Sequence, residues 1–341
     1  MQIVKKIFSF LWRTGISIVF LFILFKKIDW RSTFKVIARA EPVYLILAGL
    51  TFLIIYTVVF CRWKMLLDAQ GIILPVKRVL SSFSGGLFFN LFFPSTIGGD
   101  IARSADLSLH TKRAKPIMAS VLLDRLSGFV GLSIVALASL IAGRRLIDDP
   151  WVYRSVFIVT GLLAAILLVI FSERICRRIN RSAIKEGGWK DKIRELHAEL
   201  YFFRSKPVTL AMNVACSIVI QAGVSFVSYF LLAALGVKIN IVYLLIFNPL
   251  ITLITTIPIS IGGLGLRDAS SVFFYAKAGV VKDVALAQSL LNFGLIVGFG
   301  LIAGVIYGAT LHYRRIQPHQ AAVSAHQQVN PGPFRPQRVK P

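Results

Sequence analysis

Two stretches of the sequence share the pattern P-x-x-I-G-G-x-x-x-R, one from Pro94 to Arg103 and one from Pro258 to Arg267. Gly98-Gly99 and Gly262-Gly263 would let backbone N–H groups approach an anion closely. A helix starting after each pair would add its positive dipole end. Arg103, Arg125 and Arg267 carry guanidinium groups whose planar fork suits a phosphate. Asp100, Asp124 and Asp268 stand beside them, and Asn90 precedes the first break with an amide for a headgroup or for freed backbone. All lie within or beside apolar runs, where an ionisable side chain is costly and marks a functional site by default. These residue types would hold a phosphate-bearing headgroup while acyl tails stay in lipid.

The same groups also suit a structural ion-pair network that locks two halves together. Asp100 and Arg103, at i,i+3, can pair on a helix. Asp124 and Arg125, like Arg267 and Asp268, are adjacent and should not face each other. Partners elsewhere are expected for them, for instance in the opposite motif. Asp100 and Asp124 are also candidates for carrying protons, since burial raises a carboxyl pKa.

Elements that could position these residues follow from composition. Of 341 residues 56% are apolar and 16% charged, a balance shifted from soluble domains toward membrane proteins. Apolar runs lie near 8–25, 43–61, 79–97, 117–142, 152–171, 208–235, 241–261 and 285–309. The third and seventh carry Pro, Gly and Asn, and paired broken segments in two halves of a chain point to a transporter's central site. The expected fold is all-α and polytopic, with about six full spans and two re-entrant broken hairpins in an inverted repeat. Its half-repeats would cover about 43–142 and 208–309 within a single transmembrane domain, 1–311. Eight simple spans fit the charge pattern less well, because they place Lys112, Arg113 and Lys115 outside. Lys and Arg concentrate on the side holding both termini, which is expected to be cytoplasmic. Residues 187–204 have Ile193, Leu196, Leu200 and Phe203 at helical spacing and are expected to lie on the membrane surface. A Gln-, His-, Pro- and Ala-rich tail, 312–341, is expected to be disordered and cytoplasmic.

The formal charge of +24 would suggest nucleic acid in a soluble chain. Here it fits anionic lipid headgroups and cytoplasmic loops, so no nucleic-acid partner is expected. Cys61, Cys176 and Cys216 are far apart, form no metal or disulfide pattern, and are expected to be buried thiols. The histidines His110, His197, His312, His319 and His326 form no metal constellation and are expected in solvent. Gly300, Gly304 and Gly308 make a small-xxx-small face for close packing, within the protein or between two copies. No Walker loop, H-E-x-x-H or G-x-S-x-G motif occurs, and Gly263-Leu264-Gly265 lacks the remainder of a dinucleotide loop. Neither a cofactor nor an enzymatic activity is expected.

Three segments in order resemble one family over roughly 10–310: Phe89-Asn90-Leu91-Phe92-Phe93-Pro94 through Gly98-Gly99-Asp100 and Arg103; Ala119 through Asp124-Arg125; and Pro258 through Gly262-Gly263-Leu264-Gly265, Arg267 and Asp268. They are similar to the lysylphosphatidylglycerol synthase transmembrane-region family of flippase-like membrane proteins. The resemblance implies a multi-pass protein of the bacterial inner membrane that moves lipids, like the flippase half of the multiple-peptide-resistance factor. Nothing in the sequence corresponds to that factor's soluble lysyl-transfer domain. Asp124 and Asp268 stand where similar proteins often have Glu. The expected function is translocation of an anionic or phosphate-bearing lipid, or a polyprenyl-linked intermediate, between leaflets. A membrane-embedded transferase with Asp100 or Asp124 as base, or a non-catalytic assembly factor, are the competing readings.

Overall fold

The structure, a computed structural model, describes residues 30–93, 97–145, 150–172, 189–256 and 265–329. In chain order the helices are α1 (Trp30–Ala38), α2 (Pro42–Ala69), α3 (Val76–Asn90), α4 (Ile97–Thr111), α5 (Ala114–Ala142), α6 (Pro150–Phe171), α7 (Trp189–Phe202), α8 (Pro207–Ala234), α9 (Ile241–Thr256), α10 (Leu266–Ala276) and α11 (Lys282–Val329). No strand occurs among the described residues.

Length sorts these helices into two kinds. Five are long and apolar enough to cross a membrane: α2, α5, α6, α8 and the Lys282–Thr310 part of α11. They match five of the six expected full spans, and the run at 8–25 lies outside the described residues. With 28 residues, α2 extends about 42 Å, well beyond a hydrocarbon core of about 30 Å. With 15 and 16 residues, α3 and α9 reach only about 22–24 Å. Each short helix packs against a second one, α3 on α4 and α9 on α10. The chain is a polytopic helical membrane protein.

Two units with one order of elements emerge: long helix, two short helices, long helix. They are α2 to α5 and α8 to α11. Local chemistry repeats as well. Pro42 and Pro207 open the first helix of each unit, where a fixed φ and a missing N–H cost nothing. The same helices end in matching sequences, Leu66-Leu67-Asp68-Ala69-Gln70-Gly71-Ile72 and Leu231-Leu232-Ala233-Ala234-Leu235-Gly236-Val237. Gly71 and Gly236 have φ of 69° and 79°. Beyond them Ile72 N–H donates to the Leu67 carbonyl and Val237 N–H to the Leu232 carbonyl, both at 3.0 Å. This is the Schellman ending, which needs the left-handed conformation that glycine adopts freely.

The units run in opposite directions. Glu41 N–H, at the start of α2, donates to the carbonyl of Ala234 at the end of α8, 2.9 Å away. Further along the pair, Arg62 bonds Ser217, so α2 and α8 are antiparallel neighbours. Exchanged contacts follow the same relation: α3 packs on α11 and α9 packs on α5. One buried cluster, with Trp63, Phe83, Leu107 and Ile117, lies within the first unit, whereas Leu232, Phe247, Phe274 and Tyr275 of the second pack together with Ala136 and Leu140 of α5 and Val152 and Val156 of α6.

Several details differ from expectation. The apolar face of α7 and the turn after it pack onto protein: Leu200 and Phe203 are buried against Leu66, Ala119 and Leu123, because α5 and α6 offer an apolar seat. His197, on the same helix, is buried and stacks near Tyr201 instead of standing in solvent. Cys61 is exposed on α2 and Cys216 partly so, while Cys176 lies outside the described residues. The helical backbone of α11 continues to Val329, across most of the segment expected as a disordered tail.

Glycines set the closest approaches. A Cβ on Gly300 would meet the Leu91 side chain at 2.7 Å, and one on Gly304 would strike the Phe88 ring. Two-thirds of the small-residue face is therefore occupied by α3 of the same chain, and only Gly308 has open space beside it. Within the first hairpin a Cβ on Gly99 would collide with the Gly86 carbonyl oxygen and sit 2.5 Å from the Asn90 amide. Backbone cannot move aside as a flexible side chain can. Gly99→Ala should cost about 1–3 kcal/mol by overpacking and lower the thermal midpoint of the purified protein in detergent. Gly298→Ala, with nothing within 4 Å of the new methyl, should leave the midpoint unchanged or raise it. Equal midpoints for both variants would contradict the tight α3–α4 contact.

Candidate functional site

Buried charge gathers where α2, α4 and α5 meet. Arg103, on α4, points its guanidinium between two carboxylates: Nη2 lies 2.9 Å from Asp100 Oδ1 and 3.0 Å from Asp124 Oδ2. Its Nε also donates to Asp100 at 3.1 Å. The guanidinium carbon sits 4.4 Å from the centre of the Trp63 ring, a stacked cation–π geometry. Asp124 takes a second bond from Arg62 Nε at 2.7 Å, and Arg62 Nη1 donates to Ser217 Oγ at 2.8 Å. Asp100 takes its other bond from Arg125 Nε at 2.5 Å. The result is a chain of alternating sign: Arg62, Asp124, Arg103, Asp100, Arg125.

Helical geometry explains the order. Asp100 and Arg103 share one face of α4. Asp124 and Arg125 are neighbours in sequence, diverge around α5, and serve different partners. In the low-dielectric interior each carboxylate needs an opposing charge, and each has two. Three arginines against two aspartates leave one positive charge in excess among these groups. Exposure is uneven. The side chains of Arg62 and Arg103 are 8% and 6% exposed, whereas that of Arg125 is 35% exposed.

Arg125 faces a cavity of about 230 Å³ that all five charged residues border. Asn90, Gly86, Gly99 and Gly128 also line it, and Gln221, Thr252 and Thr256 close it from the second unit. Asn90 accepts the N–H of Gly99 at 2.7 Å, so its amide satisfies backbone at the break, the more ordinary of the two expected uses. Gly98 is near Phe93, and a side chain there would strike that ring.

Arg267 and Asp268 lie elsewhere. Neither is among the residues lining the cavity. Arg267 Nη2 lies 3.2 Å from Asp268 Oδ1, its Nε is 3.3 Å from Ser289 Oγ, and its guanidinium carbon is 5.1 Å from the centre of the Phe293 ring. Asp268 Oδ2 accepts the N–H of Gly265 at 2.9 Å, capping α10. Adjacent residues pair here because Arg267 sits in the first turn, where its long side chain folds back onto Asp268. The two motif arginines turn to different helices: Arg103 reaches Asp124 of α5 and Arg267 reaches Ser289 of α11, each the long helix that ends its own unit. Gly262 and Gly263 lie outside the described residues.

Four site residues had escaped the sequence reading. Arg62 stands one residue beyond the expected apolar run, 43–61, where an arginine followed by Lys64 reads as a loop cation. In the structure α2 continues to Ala69 and Arg62 is inside. Ser217 and Gln221 belong to a polar stripe on α8, Asn213-Ser217-Gln221-Ser225, whose members are all at most 9% exposed. Spacing by four within an apolar helix was the available signal. Thr252 carried no such signal.

Comparison with known proteins gives a family. The family described as the lysylphosphatidylglycerol synthase TM region matches residues 10–304. A UPF0104 membrane protein of Methanothermobacter thermautotrophicus is 24% identical over 303 residues, covering 80% of this chain and 88% of the relative. A UPF0104 membrane protein of Pyrococcus horikoshii is 21% identical over 310 residues, covering 82% of this chain and 89% of its own length. With most of its length matched, the chain belongs to the lysylphosphatidylglycerol synthase transmembrane-region family.

Proposed function

We propose that the chain moves an anionic, phosphate-bearing lipid between the leaflets of the membrane, without making or breaking bonds in it. The observation that carries this reading is the cavity between the two units, bordered by a guanidinium chain with one positive charge in excess and with Arg125 exposed to it. An anion entering there meets a guanidinium already oriented by its bond to Asp100, so little reorganisation is needed on binding. Arg103 and Arg62 hold the frame, and Arg125 is the group placed to reach a phosphate. The antiparallel units support alternating access, in which one unit rocks against the other around a fixed site.

A transferase or proton-coupled cycle suits the site less well. Asp100 and Asp124 each accept bonds from two arginines, so both oxygens of each carboxylate are engaged within the network rather than offered to a reacting group. In the proposed orientation both termini and the turn between α4 and α5, at Lys112 and Arg113, face the cytoplasm of a cell with an anionic inner leaflet, and 235–240 faces outward.

Purified protein in liposomes should accelerate movement of a tail-labelled anionic phospholipid between leaflets. Arg125→Ala should reduce that rate at least tenfold while insertion and thermal midpoint hold. Arg125→Lys, which keeps charge but loses the fork, should fall between. Normal rates with Arg125→Ala would remove the proposed anchor. Asp124→Asn should act differently. It leaves the buried Arg62 without its carboxylate, while Arg103 keeps Asp100, at a cost of about 3–5 kcal/mol, and should appear as low yield or a depressed midpoint. For orientation, Lys112→Cys should react with a membrane-impermeant thiol reagent only from the cytoplasmic face and Lys238→Cys only from the other. Labelling of both from one face would overturn the arrangement.

A further inference from the structure

Pro249 stands inside α9 and divides it into two parts that are held differently. Before the proline, α9 is pinned from two sides. The Ser225 hydroxyl of α8 donates to the Leu244 carbonyl at 3.1 Å, and the Tyr275 hydroxyl of α10 donates to Asn248 Oδ1 at 2.7 Å. Tyr275 is also hydrogen-bonded to Ser228 of α8. Beyond the proline, Thr252 and Thr256 line the cavity. There the hydroxyls of Thr255 and Thr256 turn back onto the Thr252 carbonyl, a bonding that favours bending of a helix. The break leaves a donor and an acceptor over. Proline has no N–H for the carbonyl of Leu245, and the buried Nδ2 of Asn248 has no partner among the described residues. Bending at Pro249 opens the ladder at this point and lets water bridge the two groups.

The geometry points to Pro249 as a hinge. The turns of α9 from Leu250 to Thr256 swing about it and set the width of the cavity, while Ser225 and Tyr275 hold the first half of the helix still. The first unit shows why the motion belongs here. Its short helix α3 contains no proline and is tied at three places. Ser81 bonds Thr310 of α11 at 2.6 Å, Ser82 donates to the Arg103 carbonyl at 2.9 Å, and Asn90 accepts the N–H of Gly99 at 2.7 Å. The charged groups that border the cavity lie on α2, α4 and α5 and are locked to one another. The cavity thus has a fixed wall from the first unit and a jointed one from the second. The hinge itself stands on this geometry alone, and its role as a gate rests on the transport reading above, for which it names the moving part.

Hydrogen exchange of the full-length protein in lipid nanodiscs should find the amides of 250–256 opening at least about tenfold more often than those of 241–248. Pro249→Ala returns an N–H to the Leu245 carbonyl. It should slow exchange at 250–256 about two- to tenfold, the range for one regained hydrogen bond, and slow movement of a tail-labelled anionic phospholipid by a similar factor. Slower exchange is a result that a misfolded protein cannot give. Tyr275→Phe removes a pin and should extend fast exchange into 241–248. Equal exchange in the two halves, or no change at 250–256 in Pro249→Ala, overturns the hinge. The expected exchange pattern in a protein that moves no lipid supports the hinge and sinks the transport reading. Normal lipid movement by Pro249→Ala, with its exchange slowed, overturns the gating role and leaves transport standing.

Discussion

A guanidinium buried among membrane helices has to be neutralised where it sits, and Arg103 is the group around which the site is built. It is 6% exposed and touches Asp100, Asp124 and the Trp63 ring at once. These contacts tie α4 to α5 and α2. Removing any partner would leave a desolvated charge, so the three helices are fixed relative to one another by electrostatics as well as by packing. Arg62 extends the same chain to Ser217, and this bond carries the network into the opposite unit. Three glycines border the cavity: Gly86 and Gly99 let α3 and α4 close on each other beside these ionic groups, and Gly128 leaves room next to Arg62.

Both units repeat this joint, but only one keeps it charged. Arg103 reaches Asp124 on the long helix that follows, and Arg267 reaches Ser289 on its own following helix. A hydroxyl has replaced the carboxylate, while Asp268 neutralises the arginine locally. The second unit instead contributes uncharged polar groups along α8 and α9. This asymmetry gives the cavity charged groups from the first unit and uncharged polar groups from the second.

Legibility in the sequence followed physical reach. Long spans, the two breaks and the pairing of Asp100 with Arg103 depend on composition and on spacing within one helix, so they could be read directly. The divergence of Asp124 and Arg125 followed from 100° per residue. Arg62 could not be placed that way: an arginine one residue past an apolar run reads as a loop cation until the helix is seen to continue. The face of α7 was recognised as apolar, yet sequence could not say whether lipid or protein covers it. Gly300 and Gly304 likewise announced close packing without naming Leu91 and Phe88 as the partners.

By itself the sequence determined that this is a helical membrane protein, where its helices break, and which residues can carry charge inside it. Periodicity, hydropathy and the conformational limits of Pro and Gly act over a few residues, and they suffice for those conclusions. Only the tertiary structure decided which charges meet. The antiparallel packing of α2 and α8 brings Arg62 to Ser217 and Gln221 to the cavity, and the turn of α10 takes Arg267 away from it. Such meetings depend on the rotation and register of helices far apart in the chain, which no local pattern fixes.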